Sequence, residues 1–392
     1  MPLAVSGCFG GNQPGAASPI RGRTLAIYSS LPLHGLSAPA AGAVAAGERL
    51  ALADARDRAG RYRVRFVVLD STRPGGPLWD PGQVSLNAKR AARDPRAIAY
   101  VGELDYGASA VSVPVTNGNG LLQVSPGDGL ASLSRTPPGE IGRGGPARYY
   151  PARRRTFLRL VPSDLLQAGA LLALARQSGA QRLATVTDEG NYGDELGEEA
   201  AAEARRTGAS VDVTRDFSGD PAAAPSIVQL LAERRPQAVI YAGVAAPGTE
   251  ALLGGIARRM PGVPVFGASG LAPAGRPPAG VAGAVEVVSP YRPLSTYPAA
   301  GRRLLGRLPP SARRVEALYG YEAVRRVLDA IRSTGGRRGA TRAAVVRAAL
   351  APGARRSPIG RYRVRRGGDV SQDRLAVYRV EHRRLVFDRL VR

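Results

Sequence analysis

The sequence predicts an α/β protein made of two lobes, each built on a doubly wound parallel sheet. Three observations predict this class. Strand-like and helix-like segments alternate through residues 24–134, and the same alternation begins again after residue 165. Such alternation is typical of parallel sheets covered by helices. The chain of 392 residues is also long enough for two medium-sized cores.

A single βαβ unit, residues 97–134, organises the first half. It contains an apolar run at 98–101, a break at Gly102 with a loop of small residues, apolar positions at helical spacing, and a second apolar run at 121–124. The crossover is long enough to join parallel strands. Both loops would then open at the carboxyl ends of neighbouring strands, where open α/β sheets bind ligands. The sequence therefore predicts a ligand site at this edge.

The remaining elements follow from periodicity and from turn residues. The first half is predicted to hold strands and helices at 24–28, 42–55, 63–70, 83–93 and 156–161. Prolines and glycines exclude regular structure between 135 and 155. The second half is predicted to hold helices and strands at 165–177, 182–186, 193–208, 210–217, 226–235, 238–241, 249–259 and 264–267. The tail is predicted to add a strand at 283–290, helices at 317–333 and 342–350, and a closing pair of strands at 361–364 and 375–380.

The formal charge of +24 is the unusual feature of the composition. Nearly all of the excess is arginine, Lys89 being the one lysine, and it is scattered along the chain. Scattered charge bears on solubility and not on fold. The sequence favours codon bias of a GC-rich genome over a nucleic-acid-binding surface, which would need basic residues to converge on one face.

The one cysteine, Cys8, excludes an internal disulfide framework and a CxxC site. Its surroundings, Ser6-Gly7-Cys8 followed by a Gly/Pro/Ala/Ser stretch, resemble a bacterial lipoprotein signal with its tether. Only seven residues precede Cys8, too few for a charged and a hydrophobic region. Either the chain is written from a late start codon, which we favour, or the match is accidental. No apolar stretch reaches transmembrane length.

Enzymatic chemistry has little support in the sequence. His34 and His382 are the only histidines, and neither a nucleophile elbow nor a metal-ligand cluster nor a phosphate-binding GxxxxGK[ST] loop is present. His34 lies in the loop after the first strand, where it would either touch a ligand or face solvent. No cofactor and no enzymatic activity are expected.

Several short motifs, in their order and spacing, carry a resemblance to a known family. They are Leu31-Pro32-Leu33-His34-Gly35, Val101-Gly102, 120–126 (GLLQVSP), 188–193 (DEGNYG), 240–243 (IYAG) and 266–270 (FGASG). With these the chain resembles the leucine/isoleucine/valine-binding proteins, type I periplasmic solute-binding proteins of ABC importers. The resemblance covers nearly everything after residue 20. It implies two lobes joined by three crossings: an N-terminal tether at 1–21, lobe one at 22–160 with 288–355, and lobe two at 161–287 with 356–392.

The resemblance also implies a site. The family holds an amino-acid zwitterion in the cleft between the lobes, which needs glycines and small residues where backbone donors approach the ligand. By position, the implied ligand-binding residues are Tyr106, Gly107, Ala108, Gly127, Asp128, Gly129, Tyr192, Val244, Ser269 and Gly270.

Several of these positions depart from the family pattern. A serine is usual at the position of Tyr106 and a threonine at that of Gly129. An aromatic residue is common at the position of Val244, and amino-acid binders of the family can place an acid at that of Ser269. Five acids lie in the loops that would face the cleft: Glu103, Asp105, Asp128, Asp188 and Glu189. Asp128 is the best candidate to bind a ligand ammonium. For each acid, the alternative is a helix cap or a solvated carboxylate. Tyr106 and Tyr192 are either aromatic walls of the pocket or packing residues.

The sequence thus predicts a monomeric extracytoplasmic lipoprotein, anchored through Cys8, that passes a small amino acid-like or amide ligand to an ABC permease by hinge closure. A ligand sensor of the same fold, acting on a signalling partner, stays open as an alternative. An alternative of another class is a basic polyanion- or nucleic-acid-binding protein, although no nucleic-acid partner is expected.

Overall fold

A computed structural model describes residues 18–136, 145–279, 285–334 and 339–392. Two large sheets dominate it, one of six strands and one of seven. Each sheet is the centre of its own lobe, and the predicted two-lobed α/β architecture is confirmed.

The first lobe is a parallel sheet whose strands lie in the order β2-β3-β1-β4-β5-β6. Its strands are β1 (Thr24–Leu31), β2 (Arg58–Ala59), β3 (Tyr62–Asp70), β4 (Ala97–Val101), β5 (Leu122–Ser125) and β6 (Phe157–Arg159), with helices α1 (Ala38–Asp54), α2 (Pro81–Arg93) and α3 (Ser109–Gly118). Only the short β2 runs antiparallel, to β3. The order reverses between β1 and β4, so the loops after these two strands open a crevice.

The second lobe repeats this plan. Its elements are α4 (Asp164–Gln177), β7 (Arg182–Thr187), α5 (Asn191–Thr207), β8 (Ser210–Asp216), α6 (Ala224–Arg234), β9 (Ala238–Ala242), α7 (Thr249–Arg259), β10 (Val265–Gly267) and β11 (Val285–Ser289). Strands β8, β7, β9, β10 and β11 lie side by side and all run parallel. The strand order again reverses, here between β7 and β9.

The tail returns to the first lobe before it ends in the second. Helices α8 (Ala299–Gly306), α9 (Glu316–Thr334) and α10 (Arg342–Leu350) pack on the first sheet, and β12 (Ala354–Ser357) and β13 (Gly360–Arg363) form a separate hairpin. Strands β14 (Leu375–Glu381) and β15 (Arg384–Val391) then extend the second sheet beside β11. The chain therefore crosses between the lobes after β6, after β11 and before β14.

Two expectations for the tail need correction. The predicted pairing of 361–364 with 375–380 is wrong, because β13 pairs with β12 while β14 pairs with β11 and β15. The resemblance also implies that residues 356–392 belong to lobe two, whereas Ile359, Tyr362, Val364 and Val370 are buried in the core of the first lobe. The last crossing consequently follows Val370.

Candidate functional site

The two lobes enclose a cavity of about 330 Å³. The first lobe lines it with residues that follow β1, β4 and β5: Ser37, Ala40, Leu104, Asp105, Tyr106 and Gly127. The second lobe contributes the start of α4 and the segment after β10: Asp164, Gln167, Ser269, Ala272, Ala274 and Gly275. The crossing after β11 and the start of α9 close one side with Tyr291, Arg292, Arg314 and Glu316. Most of the lining therefore comes from strand ends, helix starts and a crossing, while Val287, Tyr378 and Leu385 contribute from within β11, β14 and β15.

Tyr106 connects the lobes across this cavity. Its hydroxyl donates a hydrogen bond to the backbone oxygen of Ser269 at 3.1 Å. Its ring lies against that of Tyr192, with the ring centroids 4.8 Å apart and the planes tilted by 41°. Tyr106 is thus both an aromatic wall of the cavity and a direct contact between the two halves.

The start of α4 forms the opposite wall through a short chain of hydrogen bonds. The Gln167 side chain donates to Asp164 Oδ1 at 2.5 Å and accepts from the Ser269 N–H at 3.0 Å. The Asp164 N–H donates to the backbone oxygen of Gly129 at 2.8 Å. A Cβ at Gly129 would lie 2.1 Å from Asp164 Oδ1, so only glycine lets this carboxyl approach the first lobe.

Three buried carboxyl groups line the cavity: Glu316, which pairs with Arg314 at 2.9 Å, and one from each lobe, Asp105 and Asp164. Burial raises the pKa of Asp105 to about 7, with the nearby Ser37 hydroxyl opposing the shift and the charge of Asp128 adding to it. Burial raises the pKa of Asp164 to about 8, again with a contribution from Asp128. Taking a carboxylate out of water without a cation favours its protonated form. Both groups would regain their charge beside a positively charged ligand.

Comparison with known proteins assigns the family. The family model described as "Periplasmic binding protein" matches residues 29–384. The chain belongs to the periplasmic binding protein family. A search of curated protein sequences finds no significant match.

Solved structures of periplasmic binding proteins share the fold. A leucine-binding protein from Thermotoga maritima is 18% identical, with a TM-score of 0.73 over 94% of this chain and 98% of that one. A solute-binding protein from R. palustris in complex with benzoate is 18% identical, with a TM-score of 0.71 over 94% and 96%. A branched-chain amino acid binding protein from Streptococcus pneumoniae in complex with isoleucine is 15% identical, with a TM-score of 0.69 over 94% and 99%.

Among the residues that the sequence assigned to the site of this periplasmic binding protein, Tyr106, Gly127 and Ser269 line the cavity. The other seven do not line it: Gly107, Ala108, Asp128, Gly129, Tyr192, Val244 and Gly270. Most of these seven residues pack behind the residues that line the cavity. Tyr291 and Arg292, from the crossing after β11, also line the cavity, and the family pattern did not name them.

Asp128 is the clearest difference. Its carboxylate is fully buried and accepts hydrogen bonds from the backbone N–H groups of Gly107 (3.2 Å), Ser109 (2.7 Å) and Leu130 (3.1 Å). It caps the start of α3 and fixes the loop after β5. These contacts give Asp128 a structural role, and they occupy backbone donors that a ligand carboxylate would need.

Tyr192, Val244 and Gly270 form a second packed layer. Tyr192 is 2% exposed, and a Cβ at Gly270 would lie 2.8 Å from its ring. Asp188 accepts hydrogen bonds from the N–H groups of Val244, Gly190 and Gly193, so it caps α5 and holds the loop after β9. These residues support Tyr106 from the second lobe.

Sequence reasoning missed five residues of the cavity lining: Asp164, Gln167, Tyr291, Arg314 and Glu316. These residues belong to α4, the crossing after β11 and the start of α9, which are far apart in sequence. No local motif marks them. Predicting them would have required the path of the chain through the three crossings, which brings these segments together.

Other candidate features lie elsewhere. His34 is largely exposed, and its Nδ1 lies 2.6 Å from Asp70 Oδ2, outside the cavity. A wider groove of about 910 Å³ runs between α6 and α7, but its lining comes from the second lobe alone. Cys8 lies outside the described residues. Among the residues that are described, no helix is long and apolar enough to cross a membrane, and no group of three His, Cys, Asp or Glu side chains is arranged to hold a metal ion.

Proposed function

We propose that this periplasmic binding protein captures a small polar ligand, amino acid-like, an amide or a related compound, and delivers it to an ABC permease. The cavity enclosed by both lobes carries the proposal. Its volume of about 330 Å³ falls at the lower end of the range of roughly 300–1,000 Å³ that is usual for small-molecule sites. That size suits a ligand of the dimensions of leucine, isoleucine or benzoate, which the similar proteins bind.

The chemistry of the walls supports a ligand with an apolar body and a few polar atoms. Leu104, Val161 and the Tyr106 ring supply apolar surface, while Asp105 and Asp164 supply polar atoms. When the lobes close over a ligand and exclude water, each polar contact gains strength from the low dielectric. The bond from Tyr106 to Ser269 stabilises the lobes in contact, as hinge closure around a ligand requires.

The proposal includes an extracytoplasmic location, a lipid anchor at Cys8 and action as a monomer. Membership in the family supports the location. A lipidated Cys8 followed by a flexible tether would keep the binding lobes close to the permease. Mass spectrometry of the protein from membranes would detect the lipid on the peptide that carries Cys8.

A thermal-shift screen tests the central part of this proposal. The screen contains amino acids, amides, ureas, short carboxylates and benzoates. A ligand that binds only the folded protein stabilises it by about 2.7 kcal/mol at one hundred times Kd, which gives a clear rise in Tm. At least one compound should produce such a rise. No response to any compound, together with DNA retention that falls steeply with salt, would instead indicate a polyanion-binding protein.

A further inference from the structure

Two carboxylate oxygens in the inter-lobe cavity have no partner. Asp105 and Asp164 are each 5% exposed and line the cavity from opposite lobes. Within residues 18–136, 145–279, 285–334 and 339–392, neither Asp105 Oδ2 nor Asp164 Oδ2 has a hydrogen-bond partner. Buried polar atoms in native proteins are nearly always paired, so an unpaired acceptor on each side of a cavity points to a donor that enters with a ligand.

The arginines that line the cavity each bond to other groups of the chain, although within the described residues the Nε of Arg314 has no hydrogen-bond partner. Arg314 pairs with Glu316 at 2.9 Å and donates to the Ala274 oxygen at 2.7 Å. Arg292 lies over the Tyr297 ring and donates to the Ile359 oxygen at 3.4 Å. Arg313 donates to the Leu308 oxygen at 2.9 Å. The two acids therefore remain without a cation of the protein's own, while Arg314 already has a carboxylate.

The helix start that would suit a ligand anion is already occupied. Backbone N–H groups at the start of α3 form a natural anion site. Here the Gly107 and Ser109 N–H groups donate to Asp128, which is part of the chain. A negatively charged end of the ligand has no place at this position.

We infer that the ligand places a protonated amine or a guanidinium between Asp105 of the first lobe and Asp164 of the second. The inference rests on the proposed function and names its ligand class: an organic cation with an apolar body, for which a carboxylate is dispensable. Donors on the cationic nitrogen would satisfy the two unpaired Oδ2 atoms. Because the two acids belong to different lobes, the cation would also stabilise closure.

The ionisation of the site agrees with this geometry. Asp105, with a pKa of about 7, faces Asp128, the Ser37 hydroxyl, Tyr106 and Tyr291. Asp164, with a pKa of about 8, faces Asp128, Arg159, Gln167, Glu195, Tyr106 and Tyr192. Without a cation nearby, these raised pKa values favour the protonated form of both groups near neutral pH. A cation binds their ionised forms, so its affinity should fall as pH is lowered from 8 to 6, with protons released on binding.

Two sets of matched compounds test the inference by titration calorimetry. One set is 3-methylbutylamine, leucine and 4-methylpentanoate; the other is tyramine, tyrosine and 3-(4-hydroxyphenyl)propanoate. Each set keeps the apolar body and changes only the charged groups. In at least one set, the amine should bind at least tenfold more tightly than the acid. Asp105→Asn and Asp164→Asn should each weaken the amine tenfold or more, while the exposed Glu189→Gln should leave its affinity unchanged.

The outcomes separate this inference from the proposed function. Binding of an acid without binding of the matching amine would overturn the inference and leave the solute-binding function standing. Amine binding that is unchanged in both asparagine variants would overturn it as well. No binding by any of the six compounds or by any member of the wider screen would remove both. The comparison of amine with acid uses the unaltered protein, so it holds even where a variant fails to fold.

Discussion

The buried carboxylate of Asp128 holds together the loops that follow β4 and β5. It accepts three backbone hydrogen bonds, two of them from the start of α3. Burial raises its pKa, while the Ser109 and Leu130 N–H groups and the charge of Arg159 oppose the rise. Backbone N–H donors replace the water molecules that would solvate this carboxylate, so its charged form is stabilised inside the lobe.

Replacing Asp128 by alanine should therefore destabilise the protein. Three backbone N–H groups would lose their acceptor, and an unsatisfied buried donor costs about 1–3 kcal/mol. We expect a loss of about 3 kcal/mol or more in the free energy of unfolding, measured by urea denaturation. Asp128→Asn keeps one acceptor oxygen and should lose less. Unchanged stability with abolished ligand binding would return Asp128 to the role of a ligand contact.

At the scale of elements, helices α1 and α9 approach unusually closely. Gly47 in α1 faces the Ala317 backbone, and a Cβ there would lie 1.9 Å from the Ala317 oxygen. Gly320 in α9 faces the Val44 backbone in the same way, at 2.3 Å. Two glycines therefore allow the tail helix to return to the first lobe and to present Arg314 and Glu316 to the cavity.

Two substitutions in α1 separate packing from helix propensity. Alanine is favoured over glycine in a helix by about 1 kcal/mol. At exposed Gly42, where a Cβ meets nothing within 4 Å, Gly42→Ala should raise stability by about that amount. Gly47→Ala should instead lower it by about 2 kcal/mol, because overpacking against backbone outweighs the propensity. Calorimetric Tm values check both. A Gly47→Ala protein as stable as Gly42→Ala would contradict this packing.

Local pattern predicted most elements because periodicity and turn residues act over short distances. The strands and helices of both βα series lie where the sequence placed them, within a few residues. The tail was harder: β15 and α8 were missed, and β14 was given the wrong partner. The residue pattern of β14 is compatible with pairing to β13 or to β11. Its actual partner depends on the lobe to which the last crossing brings the strand. The cavity residues Asp164 and Arg314 were not predicted, because their position at the cavity also depends on the path of the chain between the lobes.

At the scale of the whole molecule, buried acids set the pH dependence of stability. Burial raises the pKa of Glu48 and Glu103 to about 8, as it raises those of Asp105 and Asp164. These groups hold protons in the folded state that they lose in the unfolded chain. Their contribution is complete below the unfolded pKa and is lost as pH rises through the folded pKa. The ligand-free protein should therefore be less stable at pH 8 than at pH 5.

A variant isolates one of these groups. Glu48 is fully buried and accepts a hydrogen bond from Ser29 Oγ at 3.0 Å. One titrating group changes the free energy of unfolding by at most about 1.4 kcal/mol per pH unit. Glu48→Gln cannot ionise, so its stability should fall less between pH 5 and pH 8 than that of the wild type, while Glu189→Gln should follow the wild type. Urea unfolding at several pH values measures this. A Glu48→Gln curve as steep as the wild-type curve would contradict the assignment.

The basic charge has a structural use in many places. Arg159 is fully buried and pairs with Asp369 at 2.8 Å, Arg355 pairs with Glu322, and Arg342 donates to several backbone oxygens between the elements of the first lobe. Arginine suits such positions because its planar group makes several hydrogen bonds at once. These contacts give part of the arginine excess a role that does not involve nucleic acid.

Hydrogen exchange with and without a ligand from the screen tests most directly whether the lobes capture that ligand between them. Amides at 103–108 and 127–130 of the first lobe should become protected together with those at 164–167 and 269–275 of the second, because a guest in the cavity touches both walls and holds them closed. Protection confined to one lobe, or to the groove between α6 and α7, would contradict capture between the lobes.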